Sequence, residues 1–376
     1  MIKIKTLALN RPFVPPQKMT LEHDGEVHNP LGGASYVFKD HYVDYIANDF
    51  SKPEIAISIG AQPNSSPHFG TLVVFNLAFA LGQELKRAKN VTTPKILFEM
   101  VDTAPSKTIN RGGIDYQTSL RDSHAADTYL PQYIELMDIL RAISKIRYDT
   151  RKQCEFNAQP EVPSVLKLII ENREILGKIL DPSKGLLRIR VACPACGLTD
   201  KNGIDNVYFE DHMQSKCPDH GAFETYFDEE SHKFEYNTPL RNLIRAIIYG
   251  KQNKDETLPF GVLRVTGSDY AGYYQERFLY KAASMLGIPP IDLPTIIYSP
   301  LITDWSGAKL SKSLYVKKNA YGYLPSYLVD YAKFYEKFGE KGIETLFNEV
   351  KSWLEEPYKL FRNYSVYYFM NLFKNE

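Results

Sequence analysis

Two short segments carry residues suited to handling the phosphates of a nucleotide. The first is Pro63-Asn-Ser-Ser-Pro67-His68-Phe69-Gly70-Thr71; the second, far along the chain, is Lys309-Leu310-Ser311-Lys312-Ser313. The first follows a β-branched run, Glu54-Ile-Ala-Ile-Ser-Ile-Gly60, and precedes an apolar stretch to about Lys86. That pattern predicts strand, loop and helix. A helix beginning near His68 would aim unpaired backbone N–H groups and a partial positive charge at an anion. Gly70 would let a base or phosphate approach the backbone, and His68 could hydrogen-bond a phosphate oxygen. Lys309 and Lys312, three apart on a loop after Gly307, could meet charge developing on a departing pyrophosphate. Alone, the first segment reads as well as an ordinary strand-to-helix turn, and the second as a solvated basic loop. Together, in this order, they fit the splitting of ATP between its α and β phosphates to activate a carboxylate.

A third segment agrees with them. Gly267-Ser-Asp269 follows the run Phe260-Gly-Val-Leu-Arg-Val-Thr266. A carboxylate at a strand end can bind both hydroxyls of a ribose, although a helix N-cap aspartate is an equal reading. Glu99 and Asp102, at the end of the predicted strand Pro94–Asp102, could face a substrate amine, and Arg241 a carboxylate or phosphate. Gln62, just before the first segment, and Tyr270, just after the third, complete the substrate-binding candidates. Cys193-Pro-Ala-Cys196-Gly and Cys217-Pro-Asp-His220-Gly have zinc-knuckle spacing, C-x2-C, 20 residues, C-x2-H. Cys193, Cys196, Cys217 and His220 are therefore expected to hold a closed, structural Zn²⁺, with His212 the alternative to His220. Cys154 reads as a packing residue.

The positioning elements follow from periodicity. Residues 36–50 read as a helix stopped before Pro53, 54–60 and 94–102 as buried strands, 70–86 as the helix between them. This βαβ unit suits a doubly wound parallel sheet. Residues 116–187 read as mostly helical, 188–236 as an inserted small module with the cysteines, 238–252 as a helix with Pro239 near its start. A strand at 260–266, a helix at 271–286, a strand near Thr295 and helices from 324 onward complete the reading. The expected organisation is an N-terminal extension 1–35, a first half-domain 36–187 with a helical insert, a zinc-binding insert 188–236, a second half-domain 237–316 and a C-terminal helical region 317–376. Lys+Arg and Asp+Glu both number 45, so no global basic field draws in nucleic acid. With no signal peptide and no apolar run of about 18 residues, a cytoplasmic protein is expected, with no DNA or membrane partner.

These residues resemble the class I aminoacyl-tRNA synthetases, whose signatures are "HIGH" after the first strand and "KMSKS" on a later loop. The nearest resemblance is to the class I lysyl-tRNA synthetases, over roughly residues 38–315. His41-Tyr-Val-Asp-Tyr-Ile-Ala47 looks like that family's first helix, Gly60-Ala-Gln-Pro-Asn-Ser-Ser-Pro-His-Phe-Gly70 like its G-x-x-P-S-G-x-P-H-I-G stretch, and Gly267-Ser-Asp269 like its G-x-D-H segment. The resemblance implies a Rossmann-like (HUP-type) α/β fold with a zinc insert. It implies that His68 and Gly70 contact ATP, that Gly267 and Asp269 contact the adenosine, and that Lys309, Ser311 and Lys312 hold the departing pyrophosphate. His68, Thr71, Lys309 and Lys312 are the expected catalytic residues, with Gly60, Leu310 and Ser313 as further nucleotide-binding positions. Mg²⁺ would accompany ATP. Five positions depart from the pattern: Ser65 for Gly, Thr71 for the last His, Tyr270 for the His after the aspartate, Leu310 for Met, and Asn237-Thr-Pro-Leu-Arg241 for a Trp-rich segment. Several border the family's amino-acid pocket, so a substrate other than lysine is expected. Residues 314–376 are too few for the family's anticodon-reading domain.

The expected function is ATP-dependent activation of an amino acid to aminoacyl-AMP with release of pyrophosphate. Acyl transfer follows, to a tRNA acceptor end or to a non-tRNA amine or thiol. A nucleotidylyltransferase shares the first motif and the sheet. A non-catalytic synthetase paralogue that binds RNA or protein is the other alternative, disfavoured by the retained lysines.

Overall fold

The computed structural model describes residues 41–88, 93–310 and 321–374. Its centre is a sheet of five strands, all parallel. In chain order these are β1 (Glu54–Ala61), β2 (Thr93–Met100), β5 (Arg147–Lys152), β12 (Phe260–Gly267) and β13 (Ile296–Ser299), ordered in space β13-β12-β1-β2-β5. The chain runs outward from β1 to β2 and β5 on one side, then returns to lay β12 and β13 on the other. The order thus reverses between β1 and β12, and the crevice beyond their carboxyl ends is where such sheets bind ligands.

Each face of β1 buries a different core. Ile55, Ile57 and Ile59 pack with α2 (Phe69–Leu85). Ala56 and Val262 pack with α7 (Thr238–Lys254). This explains the nearly continuous apolar run in β1, interrupted only by the buried Ser58: a central parallel strand is covered on both faces. Asn237 caps α7 by accepting from the Leu240 N–H at 3.3 Å, with Pro239 in the first turn as expected.

The stretch expected to be mostly helical is only partly so. It contains α3 (Leu130–Ser144), α4 (Gln153–Asn157), α5 (Val162–Glu171) and α6 (Arg173–Leu180), but also β5 and the end of β4 (Ile114–Ser119), which forms a hairpin with β3 (Pro105–Arg111), just before the stretch. β4 pairs with β7 (Thr199–Asp200), and Arg111 meets Asp219 at 2.6 Å, so the hairpin joins the cysteine module. That module also holds β6 (Ile189–Val191), paired with β11 (Phe234–Tyr236), and the antiparallel set β8 (Val207–Tyr208), β9 (His212–Cys217) and β10 (Gly221–Tyr226).

The helix expected at 271–286 is wound as a π-helix over Tyr273–Ala283. The helix expected over 36–50 is described from residue 41 and spans Tyr42–Asn48 (α1); the extension 1–35 lies outside the described residues. The C-terminal region is helical apart from β15 (Tyr364–Ser365), which pairs with β14 (Ile302–Thr303). Its long helix α8 (Tyr331–Glu355) breaks at Gly339, whose φ of 58° and ψ of −156° are not helical. Helices α9 (Pro357–Leu360) and α10 (Val366–Leu372) follow.

Candidate active site and metal centre

The first motif is built as its sequence suggests. β1 ends at Ala61, the loop turns, and His68 is the N-cap of α2, with extended φ and ψ of −88° and 168°. The N–H groups of Thr71 and Leu72 donate to the His68 carbonyl at 2.8 and 3.2 Å. Those of Phe69 and Gly70 lie in the first turn, where a helix has no backbone acceptor to offer. The glycine at 70 has a specific cause. A Cβ there would lie 2.9 Å from Cε1 and 3.1 Å from Nδ1 of His68, so only glycine lets the imidazole fold over the helix start.

The loop before this helix is tied from outside. Tyr331 donates its N–H to Ser66 Oγ at 3.0 Å, and the Ser66 hydroxyl donates to Gln132 Oε1 at 2.7 Å. Phe69 packs among Phe334, Phe369 and Phe373, at ring centroid separations of 5.9, 4.6 and 6.1 Å. The C-terminal helices therefore clamp the segment that presents His68.

The second motif rises from a tight turn. Asp304 Oδ1 accepts from the Ser306 N–H at 2.8 Å, the Ser306 hydroxyl at 2.6 Å and the Ala308 N–H at 3.2 Å. Leu310 is buried and donates its N–H to the Ile302 carbonyl at 2.8 Å. Lys309, between them, forms an ion pair with Asp269 and lies 5.9 Å from the centre of the Tyr270 ring. Ser311, Lys312 and Ser313 lie outside the described residues.

One cavity of about 280 Å³ receives these pieces: it is lined by Gly60, Gln62, His68, Gly70, Thr71, Arg241, Gly267, Asp269, Tyr270, Lys309 and Leu310. It sits at the carboxyl ends of β1 and β12, at the reversal of strand order. A larger hollow of about 640 Å³, between α3 and Tyr335 and Glu340 of α8, contains none of the predicted residues.

Glu99 and Asp102 are not among the residues lining the cavity. Glu99 is fully buried behind it, where it accepts from Arg151 at 2.5 Å and from the Tyr249 hydroxyl, and pairs with Arg245 at 3.3 Å. Burial pushes its carboxyl up, but Arg245, Arg151 and the Tyr249 hydroxyl outweigh burial and hold it below the ordinary value. Asp102 is also buried and accepts from the Gln153 N–H at 3.0 Å. Glu99 thus enters a structural charge network inside the fold, while Asp102, just past the end of β2, holds the first residue of α4.

Two arginines that motif reading passed over line the cavity beside Arg241. These are Arg245, one turn further along α7, and Arg264, in the middle of β12. The signal was present in both cases: Arg241 and Arg245 stand at i and i+4, and Arg264 interrupts an otherwise apolar strand.

The cysteine module brings its four predicted donors together. Cys193 Sγ and Cys217 Sγ lie 3.6 and 3.4 Å from His220 Nδ1, Cys196 Sγ lies 3.6 Å from Cys217 Sγ, and all four donor atoms fall within 4.8 Å of one another. Zn–S bonds near 2.3 Å and Zn–N bonds near 2.0 Å, in a tetrahedron, require donor separations of roughly 3.5–3.8 Å. The set fits zinc. Gly197 and Gly221, just after each knuckle, have φ of 74° and 79°, which folds the chain back around the donors. His212 stands apart, stacked on Phe209 at 4.3 Å and bonded to Asp211. Cys154 is half-buried, and burial and the neighbouring Asp102 push its thiol up.

No family model matches the chain, and no curated protein matches it. It is similar to solved aminoacyl-tRNA synthetases. A glutamate tRNA ligase from Elizabethkingia meningosepticum is 12% identical with a TM-score of 0.37, covering 83% of this chain and 65% of that one. A tyrosyl-tRNA synthetase from Archaeoglobus fulgidus is 12% identical with a TM-score of 0.34, covering 70% and 60%. An arginyl-tRNA synthetase from Plasmodium falciparum is 9% identical with a TM-score of 0.35, covering 80% and 51%. The chain spans less than two thirds of the length of each, and the three are named for three different amino acids. No helix among the described residues is long and apolar enough to cross a membrane.

Proposed function

We propose that the chain is an adenylate-forming ligase of the class I synthetase type. It activates an amino acid with ATP to give aminoacyl-AMP and pyrophosphate, then passes the acyl group to an acceptor. One observation carries this reading. Three segments distant in sequence, His68-Phe-Gly70-Thr71, Gly267-Ser-Asp269 and Lys309-Leu310, meet in one cavity at the strand-order reversal.

The chemistry needs little acid–base assistance, because orientation and charge stabilisation carry adenylation. The start of α2, with His68 beside it, would hold the phosphates. Gly267 and Asp269 would hold the ribose, and Mg²⁺ accompanying ATP would supply charge neutralisation. The Lys309–Asp269 pair supports a switch in partner. Ribose hydroxyls arriving at Asp269 take over its oxygens, and Lys309 is released toward the phosphates as pyrophosphate departs. Cys193, Cys196, Cys217 and His220 would hold a zinc ion with no open position, so its role is to shape the module and not to hydrolyse. A tRNA acceptor end and a smaller amine or thiol are both compatible acceptors.

The test is ATP–pyrophosphate exchange by the purified protein with each amino acid, first without and then with total tRNA. Exchange that disappears in Lys309→Ala is the expected result. Absence of exchange with every amino acid, together with failure to bind ATP, rejects the reading.

A further inference from the structure

The floor of the cavity is cationic beyond what its own partners neutralise. Arg241, Arg245 and Arg264 line it, and each is at least nine-tenths buried. Arg151 joins them just behind. Among the described residues the one carboxylate inside this cluster is Glu99, and it is taken up by Arg151 and Arg245. Asp269 also lines the cavity, at the rim, and is engaged by Lys309.

Arg241 and Arg264 have only neutral hydrogen-bond partners among the described residues. Arg241 Nη2 donates to Thr238 Oγ1 at 3.2 Å, and its Nε is buried without an acceptor. Arg264 donates to the Tyr274 hydroxyl at 2.9 Å and to Ser58 Oγ at 3.1 Å. Burial, with Arg245 and Arg264 facing it, pushes the Arg241 guanidinium down to about 9, a direction that an arriving anion reverses. Arg264 differs: burial pushes it down, but Tyr274, Tyr249 and Glu99 outweigh burial and hold it above the ordinary value. For Arg241, a buried guanidinium without a close counter-ion is costly, and the planar donor forks of both arginines match carboxylate and phosphate groups.

Position decides which part of a substrate they would meet. Resting on the adenylation reading above, the carboxylate to be activated must sit at the rim, beside His68 and Gly70. Arg264 lies three residues before the end of β12, paired in register with Ser58. A Cβ on Gly60 would lie 3.5 Å from its Nη2, so this guanidinium runs under the strand end. Arg241 and Arg245 descend along α7 over the same face. The arginines thus lie below the rim and meet the distal end of the substrate. We infer that the activated amino acid carries an anionic side chain, a carboxylate or a phosphate, held by Arg241 and Arg264.

The experiment is the exchange assay on wild type with aspartate, glutamate and O-phosphoserine against asparagine, glutamine, serine and lysine, repeated in Arg264→Gln and Arg241→Gln. The expected result is exchange with an acidic member only. Its KM should rise roughly 10–100-fold in either variant while that for ATP stays within about twofold. The carboxylate and phosphate arms identify which anion the pocket takes. Best exchange with a neutral or basic amino acid overturns the anion inference and leaves adenylation standing. If no amino acid supports exchange, calorimetry with the same three anions on the wild-type chain decides. Binding that Arg264→Gln abolishes upholds the anion site while the adenylation reading falls, and no binding overturns the inference.

Discussion

At residue scale, Gly70 is held by contact and not by backbone freedom. Helix propensity alone would favour alanine in its place by up to about 1 kcal/mol. The His68 ring, 2.9 Å from where a Cβ would stand, opposes it. Gly70→Ala is therefore expected to leave the melting temperature level or slightly higher while lowering kcat/KM for ATP at least tenfold. Calorimetry beside exchange kinetics checks this, and parallel losses of stability and activity would contradict the contact argument. Glu99 makes the opposite case. As the counter-ion of the buried Arg245 and the partly buried Arg151 it belongs to stability, and Glu99→Gln should cost about 3–5 kcal/mol in denaturant unfolding. A change confined to the KM of an amine-bearing substrate would instead return Glu99 to the binding role expected from sequence.

At the scale of elements, the cysteine module is small and poor in core. Its sheet β8–β10 contributes few fully buried side chains, Met213 among them, and its turns close around four donor atoms. Metal binding in such modules contributes free energy on the order of 10 kcal/mol to local folding. One zinc per chain is expected by elemental analysis. Cys217→Ser should lose it and render the 193–226 segment susceptible to limited proteolysis while the parallel sheet persists. A metal-free protein with the same protease resistance would show that packing alone forms the module. The hairpin β3–β4, paired to β7, should loosen with it.

Across the whole molecule, the C-terminal helices support the proposed nucleotide site although none of their described residues lines its cavity. Phe369 is fully buried and packs on Phe69, the residue next to His68. Phe369→Ala is expected to cost about 3–5 kcal/mol. Because the cavity it leaves adjoins the start of α2, the KM for ATP should rise as well. A stability loss with unchanged ATP kinetics would mean that the clamp is only structural. The bond from Tyr331 to Ser66 offers a gentler probe of the same coupling, since Ser66→Ala removes the side chain that ties the loop to α8.

Sequence by itself determined the parts whose geometry is local. β1 and β12 were legible because a strand covered on both faces is a nearly continuous apolar run, interrupted here only at Ser58 and Arg264 before the strand ends. The turn into α2 was legible because a helix start after such a strand has few solutions. The zinc knuckles were legible because ligand spacing and glycines lie within a few residues of one another. The hairpin β3–β4 and the edge strand β5 were not. Pro105-Ser-Lys-Thr-Ile-Asn-Arg111 and Arg147-Tyr-Asp-Thr-Arg-Lys152 are polar and largely exposed, so no burial pattern marks them. Only the tertiary structure decided what the buried charges do. Whether Glu99 faces a substrate or a guanidinium depends on β5 and α7 arriving beside β2. Whether Arg264 is compensated depends on every side chain around the cavity. Charge balance in a buried site is a sum over distant segments, and no one segment contains it.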